Sequence, residues 1–75
     1  MPQIKPQACI KALQKAGFEI KRQTGSHVIL RRDFPVPART VPVPTGKKSI
    51  PQGTLSAIWR QAGLSRAEFF ALLED

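Results

Sequence analysis

The fold is decided by residues 18–32, which read FEIKRQTGSHVILRR. Apolar and polar residues alternate on both sides of Thr24-Gly25-Ser26, a pattern typical of two strands joined by a tight hairpin. A three-residue loop pairs Ile20 with Leu30, whereas a two-residue loop would pair Ile20 with Ile29 and mix the two faces. We therefore expect the three-residue loop, with Phe18, Ile20, Val28 and Leu30 on the core side and Lys21, Gln23, His27 and Arg31 on the other.

A helix is predicted before this hairpin, from Pro6 to Ala16. Cys9, Leu13 and Ala16 recur at helical spacing, while polar residues occupy the positions between them. Pro6 suits a first helical turn, and Gly17 can adopt the left-handed conformation that ends a helix.

A third strand is predicted after the hairpin, over Arg39-Thr40-Val41-Pro42-Val43. Because Pro42 has no N–H to donate to a neighbouring strand, we expect this strand at an edge of the sheet. Pro44 to Lys48 then forms a basic loop that includes Lys47.

Two helices are predicted at the end of the chain. Ser49 is expected to cap the first, whose buried positions are Leu55, Ile58, Trp59 and Ala62 and which ends at Gly63. Ser65 and Glu68 have the spacing of a capping box, which starts a last helix running to about Leu73.

The element order is therefore α-β-β-β-α-α, which predicts an α+β fold with a three-stranded antiparallel sheet and helices on one face. A chain this short encloses one core and buries only roughly 60% of its unfolded surface, so residues 1–75 are expected to form a single domain. One face of the sheet remains available for a ligand.

The charge of the chain makes nucleic acid the first partner to consider. Twelve Lys and Arg against five Asp and Glu give a formal charge of +7. An anionic membrane or an acidic protein would be attracted by the same positive charge. We expect no membrane span, because the sequence has no apolar stretch of roughly 18 to 20 residues. A single cysteine, Cys9, fits a reducing cytoplasm, where we expect the protein to act.

The candidate for chemistry is His27, the only histidine. Imidazole exchanges protons near neutral pH. Cleavage of RNA needs little more than such a group, because the 2′-hydroxyl of the RNA attacks the adjacent phosphorus once a base takes the hydroxyl proton. Gly25 lets the backbone approach a phosphate, and Ser26 either contacts phosphate or completes the turn. The cations expected to hold RNA are Lys21, Arg22, Arg31, Lys47 and Lys48.

Other enzyme classes lack the necessary residues. One His, one Cys and five carboxylates, none at ligand spacing, predict no catalytic metal. The sequence contains no phosphate-binding glycine loop of the nucleotide type, and we expect no cofactor. Trp59 could stack on a base, but its place among Leu55, Ile58 and Ala62 favours core packing.

Several motifs together resemble the HicA (YcfA-like) family. They are Gly17-Phe18, Arg22-Gln23-Thr24-Gly25-Ser26-His27, Thr40-Val41-Pro42, Gly53-Thr54-Leu55 and Gln61-Ala62-Gly63-Leu64-Ser65. The similarity spans nearly the whole chain, and the order and spacing of the motifs agree with the family. The most specific of them are the Gly25-Ser26-His27 turn and the last two motifs, which begin at Gly53 and Gln61.

The resemblance implies a double-stranded-RNA-binding-like fold and a ribosome-independent mRNA interferase that acts as a toxin, with His27 as its catalytic residue. It also implies an antitoxin of the HicB type that covers the active surface. Many relatives carry a further His where this sequence has Pro44-Thr45, and often another in place of Val28. If a second imidazole is their general acid, then a lysine, solvent or nothing replaces it here.

Two other functions fit the same residues. A binding module of this fold would hold structured RNA through its shape and phosphates without cutting it. A basic adaptor would bind only an acidic protein. In both cases His27 would be dispensable.

Overall fold

In the part of the chain that the structure describes, three strands and three helices follow one another in the predicted order. The computed structural model describes residues 4–34, 36–46 and 48–74. The elements are α1 (Pro6–Lys15), β1 (Glu19–Gln23), β2 (His27–Arg32), β3 (Arg39–Pro44), α2 (Gln52–Gln61) and α3 (Arg66–Glu74). Within these ranges, no helix has the length and apolar character needed to cross a membrane.

The sheet has the order β1-β2-β3, with both pairs antiparallel, so β3 is the edge strand that Pro42 predicted. α1 and α2 pack against the sheet and α3 packs against those two helices, as expected for an α+β, double-stranded-RNA-binding-like fold. The core between helices and sheet is formed by apolar side chains from every helix and from β2 and β3, among them Cys9, Leu13, Leu30, Val41, Val43, Ile58 and Phe69. The opposite face of the sheet is open.

The pairing of β1 differs from the prediction near the hairpin. Ile20 pairs with Leu30 as expected. Three residues lie between the strand ends, but the Thr24 amide donates to the His27 carbonyl, so the turn itself is formed by Gly25 and Ser26 and not by the predicted three-residue loop. The register then shifts at Lys21, so that Arg22 pairs with Ile29 and Gln23 with Val28. Such a bulge inserts one extra residue into one strand and exchanges the faces of the residues beyond it.

The face predicted for Gln23 is therefore wrong. Gln23 shares the face of its partner Val28 and not that of His27, while Arg22 joins the face of His27 through its partner Ile29. Ile20 lies opposite the buried Leu30, yet it is 47% exposed because β1 is an edge strand with few helix contacts.

The start of α2 also differs from the prediction. Ser49 does not cap this helix: the N-cap is Pro51, in an extended conformation and without a side-chain cap. The ring of Pro51 disfavours a helical conformation at the residue before it, so the helix begins no earlier than Pro51.

The capping box of α3 is confirmed. The Ser65 amide donates to Glu68 Oε1 at 2.9 Å, and the Glu68 amide donates to Ser65 Oγ at 3.1 Å. The hydrogen bonds from the Ser65 amide and then from its hydroxyl lower the pKa of Glu68. Glycines end the two preceding helices with positive φ, at Gly17 (99°) and Gly63 (75°).

Arg32 joins the ends of two helices to the sheet. Its Nη1 donates to the Ala16 carbonyl at 3.0 Å and its Nη2 to the Ala62 carbonyl at 3.4 Å. These carbonyls lie at the C-caps of α1 and α2, where a cation is favoured by the helix dipole. The guanidinium also lies 4.8 Å from the centre of the Phe18 ring.

We expect Arg32→Ala to lower the free energy of unfolding by about 2 kcal/mol or more, because two part-buried charged hydrogen bonds and a cation–π contact are lost. Arg31→Ala is the matched control: its side chain is on the open face, and its exposed ion pair is worth at most about 1 kcal/mol. Urea unfolding followed by circular dichroism measures both values. Equal losses for the two variants would contradict the role given to Arg32.

Candidate active site

His27 begins the central strand and lies on the open face of the sheet. Alternation along β2 sends Val28 and Leu30 into the core and turns His27 and Arg31 toward solvent. His27 is paired with Pro44 of β3 and is exposed. A ligand on the open face can therefore reach the imidazole without any rearrangement of the core.

The hairpin loop holds His27 through hydrogen bonds. The Thr24 amide donates to the His27 carbonyl at 2.8 Å, and the His27 amide donates to Thr24 Oγ1 at 3.1 Å. Ser26 Oγ lies 3.0 Å from His27 Nδ1. This contact occupies one ring nitrogen and leaves Nε2 for a ligand.

The same loop is joined to the segment after β3. The Thr45 amide donates to the Ser26 carbonyl at 2.8 Å, which brings the two loops together beside the imidazole. Gly25 is exposed, and a Cβ atom built on it would meet nothing within 4 Å. The backbone at Gly25 is thus open to a bulky ligand such as a phosphate.

A groove runs from His27 between β3 and α2. Its lining includes Pro42 and Pro44 from the open face of β3 and Thr54, Ala57 and Gln61 from α2, and its volume is about 460 Å³. That volume is within the range of small-molecule sites in proteins, roughly 300 to 1,000 Å³. The imidazole is therefore part of a concave surface.

Two of the predicted RNA-binding cations are paired with acidic residues. Lys21 Nζ lies 3.1 Å from Glu19 Oε2, and Arg31 Nε lies 2.7 Å from Asp33 Oδ1. The hydrogen bond from Arg31 lowers the pKa of Asp33 below its usual value. Both pairs are exposed, and Arg31 lies at the other end of β2 from His27, so these cations can contact only a ligand that extends along the sheet.

Arg22 and Lys48 are exposed, and neither forms an ion pair with another residue that the structure describes. Arg22 lies on the open face through its pairing with Ile29, and Lys48 follows β3 in the loop beside Ser26. Lys47 lies outside the described residues. Arg32, although next to Arg31, points to the helices and is separate from this surface.

Cys9 is not part of the site. It is buried under the sheet, and burial raises the pKa of its thiol to about 12, so it remains a neutral thiol at physiological pH. Within residues 4–34, 36–46 and 48–74, no three His, Cys, Asp or Glu side chains come together in a way that could hold a metal ion.

The groove was not predicted from the sequence, although a signal for it existed. Pro42, Thr54 and Gln61 all belong to motifs that carry the family resemblance, Thr40-Val41-Pro42, Gly53-Thr54-Leu55 and Gln61-Ala62-Gly63-Leu64-Ser65. In the folded chain the three residues line one surface with His27. The presence of all three residues in these motifs could have been interpreted as the sign of one shared site, instead of as three separate structural features.

Comparison with known families agrees with this arrangement. A sequence profile described as the HicA toxin of bacterial toxin–antitoxin systems matches residues 7–64, which include all three strands, α2 and the groove. No curated protein matches the chain. Because the profile covers most of the 75 residues, the chain belongs to the HicA toxin family of bacterial toxin–antitoxin systems.

Proposed function

We propose that this toxin is an endoribonuclease that cleaves mRNA in the cytoplasm without a metal ion, and that His27 is its catalytic residue. The observation that carries the proposal is the position of His27: exposed on the open sheet face, held by the hairpin loop, and at the end of a groove. In this position the imidazole is accessible to a substrate that lies on the open face.

The contact with Ser26 supports a role as general base. In the tautomer whose Nδ1–H donates to Ser26 Oγ, the Nε2 atom keeps its lone pair and can accept a proton. Ser26 is then a positioning residue that fixes the ring and the nitrogen that reacts. The Thr24 hydrogen bonds limit movement of the His27 backbone in the same way.

The reaction uses groups that RNA itself supplies. His27 Nε2 takes the proton of a 2′-hydroxyl, the freed oxygen forms a bond to the adjacent phosphorus, and the bond from phosphorus to the 5′-oxygen breaks. Water protonates the leaving 5′-oxygen. The products are a 2′,3′-cyclic phosphate and a 5′-hydroxyl, and DNA, which has no 2′-hydroxyl, is not a substrate.

Cations around the open face would bind the RNA backbone and stabilise charge in the transition state. We assign this role to Lys21, Arg22, Arg31, Lys47 and Lys48, with the Gly25 and Ser26 backbone close to a phosphate. Arg22 and Lys48 have no acidic competitor among the described residues, so we expect them to contribute most.

Membership of the family implies an antitoxin partner. We propose that this partner is of the HicB type and covers the open face of the sheet, so that antitoxin and RNA compete for one basic surface. The formal charge of +7 favours an acidic partner for this role.

We expect His27→Ala to lower the rate of RNA cleavage by roughly 10² to 10⁴-fold, the usual contribution of a general base. Binding of the same RNA should change little, because the cations remain. The rate is measured with purified protein and a labelled mRNA fragment. In cells, induced expression should arrest growth and deplete mRNA for the parent and not for the variant.

Gln23→Ala is the matched control, since Gln23 lies in the same hairpin on the other face, and it should cleave like the parent. Cleavage by His27→Ala at the parental rate would contradict the assignment. Tight RNA binding without cleavage by either protein would instead support an RNA-binding module, and binding only to an acidic protein would support an adaptor.

Removing Arg22 and Arg31 together should weaken RNA binding several-fold and lower the slope of log affinity against log salt by roughly 1 to 1.5, because two phosphate contacts are lost. The double variant Lys11→Ala with Arg66→Ala removes the same charge from the helical side and should leave the slope close to that of the parent. Fluorescence anisotropy at several salt concentrations measures both. Equal slopes for the two double variants would contradict an RNA surface on the open face.

A further inference from the structure

The groove beside His27 differs in character from the rest of the open surface. Of the described residues that line it, none except His27 is ionisable, although the chain carries twelve Lys and Arg. The cations are exposed elsewhere, at Arg22, Arg31 and Lys48. Such a groove is unsuited to a phosphate group, and it is suited to a neutral ligand that is largely apolar.

The volume and lining of the groove can accommodate a flat aromatic ring. Pro42 and Pro44 project from alternate positions of the edge strand and form an apolar wall, and Ala57 of α2 faces them with a side chain of only one carbon. Unpaired bases stack on the flat faces of aromatic side chains in RNA-binding proteins, and the two proline rings offer a comparable apolar face here.

Two polar side chains at the groove could read the edge of such a base. The Gln61 amide both donates and accepts hydrogen bonds, and the Thr54 hydroxyl does the same. Neither side chain forms a hydrogen bond with another of the described residues, so both are available to a ligand.

The chemistry of the reaction links this groove to one particular base. In RNA the carbon that bears the 2′-hydroxyl is bonded to the carbon that bears the base. An imidazole that contacts the 2′-hydroxyl therefore lies next to the base of that same nucleotide. His27 lines the groove, so this base is the group positioned to enter it.

We propose that the groove binds the unpaired base on the 5′ side of the cleaved bond, and that Gln61 and Thr54 determine which base is accepted. This inference rests on the proposed endoribonuclease function. It adds a base-binding site and a source of sequence preference, whereas the cations bind any RNA sequence equally.

The first test fills the groove. Ala57→Phe places a ring on an exposed position of α2 that faces the prolines, and we expect it to lower the cleavage rate at least tenfold while RNA affinity falls less than threefold. Ala67→Phe is the matched control, an exposed alanine of α3 outside the groove, and it should cleave like the parent. Thermal unfolding of both variants shows whether each is folded. Parental cleavage by a folded Ala57→Phe would overturn the proposal.

The second test measures base preference. A pool of RNAs with random sequence is cleaved, and sequencing of the product ends gives the base on the 5′ side of each cut. We expect the parent to favour one or two bases and Gln61→Ala to lose about tenfold of that preference, since one hydrogen bond is worth up to roughly a factor of ten. Gln14→Ala, on the exposed side of α1, should keep the parental pattern.

The results separate failure of this inference from failure of the proposed function. Suppose that the parent cleaves RNA and that cleavage depends on His27. If the parent then shows no base preference on the 5′ side of the cut, or if Gln61→Ala keeps the parental preference, the groove does not select a base. If the parent cleaves no RNA, the proposed function fails, and the groove is then judged by binding alone. In that case, crosslinking of a 4-thiouridine oligonucleotide to the groove supports base binding, and its absence overturns it.

Discussion

Strand β2 has hydrogen-bonded neighbours on both sides, and this constraint fixes what the molecule buries and what it exposes. A strand paired on both edges cannot rotate about its axis without breaking both ladders. Val28 and Leu30 must then lie against the helices, and His27 must lie on the other face. The burial that stabilises the fold and the exposure of the imidazole are therefore two consequences of one alternating strand.

The end of β2 shows how the same residue type serves two purposes. Arg31 lies on the open face beside Asp33, while Arg32 reaches the carbonyl groups that end α1 and α2. In the sequence, Arg31 and Arg32 are two adjacent cations with nothing to distinguish them. Only the alternation of the strand separates the arginine that can contact RNA from the arginine that joins helices to sheet.

Much of the fold could be predicted because the local signals agree. The positive φ of Gly17, the capping box before α3 and the edge position of β3 each follow from one residue type in one place. The bulge at Lys21 left no such signal, because it depends on the pairing of two strands. The groove depends on the packing of α2 beside β3, which no local pattern encodes. The single domain over residues 1–75 stays a prediction, as do the site residues.

One imidazole is sufficient for the proposed cleavage only if the attacking group belongs to the RNA. The most direct measurement is therefore the chemistry of the product ends, determined by mass spectrometry after cleavage of an RNA and of DNA with the same sequence. We expect 2′,3′-cyclic phosphate and 5′-hydroxyl ends from the RNA, and intact DNA. Cleaved DNA, or RNA products with 3′-hydroxyl and 5′-phosphate ends, would show that water attacks the phosphorus and would contradict the role given to His27.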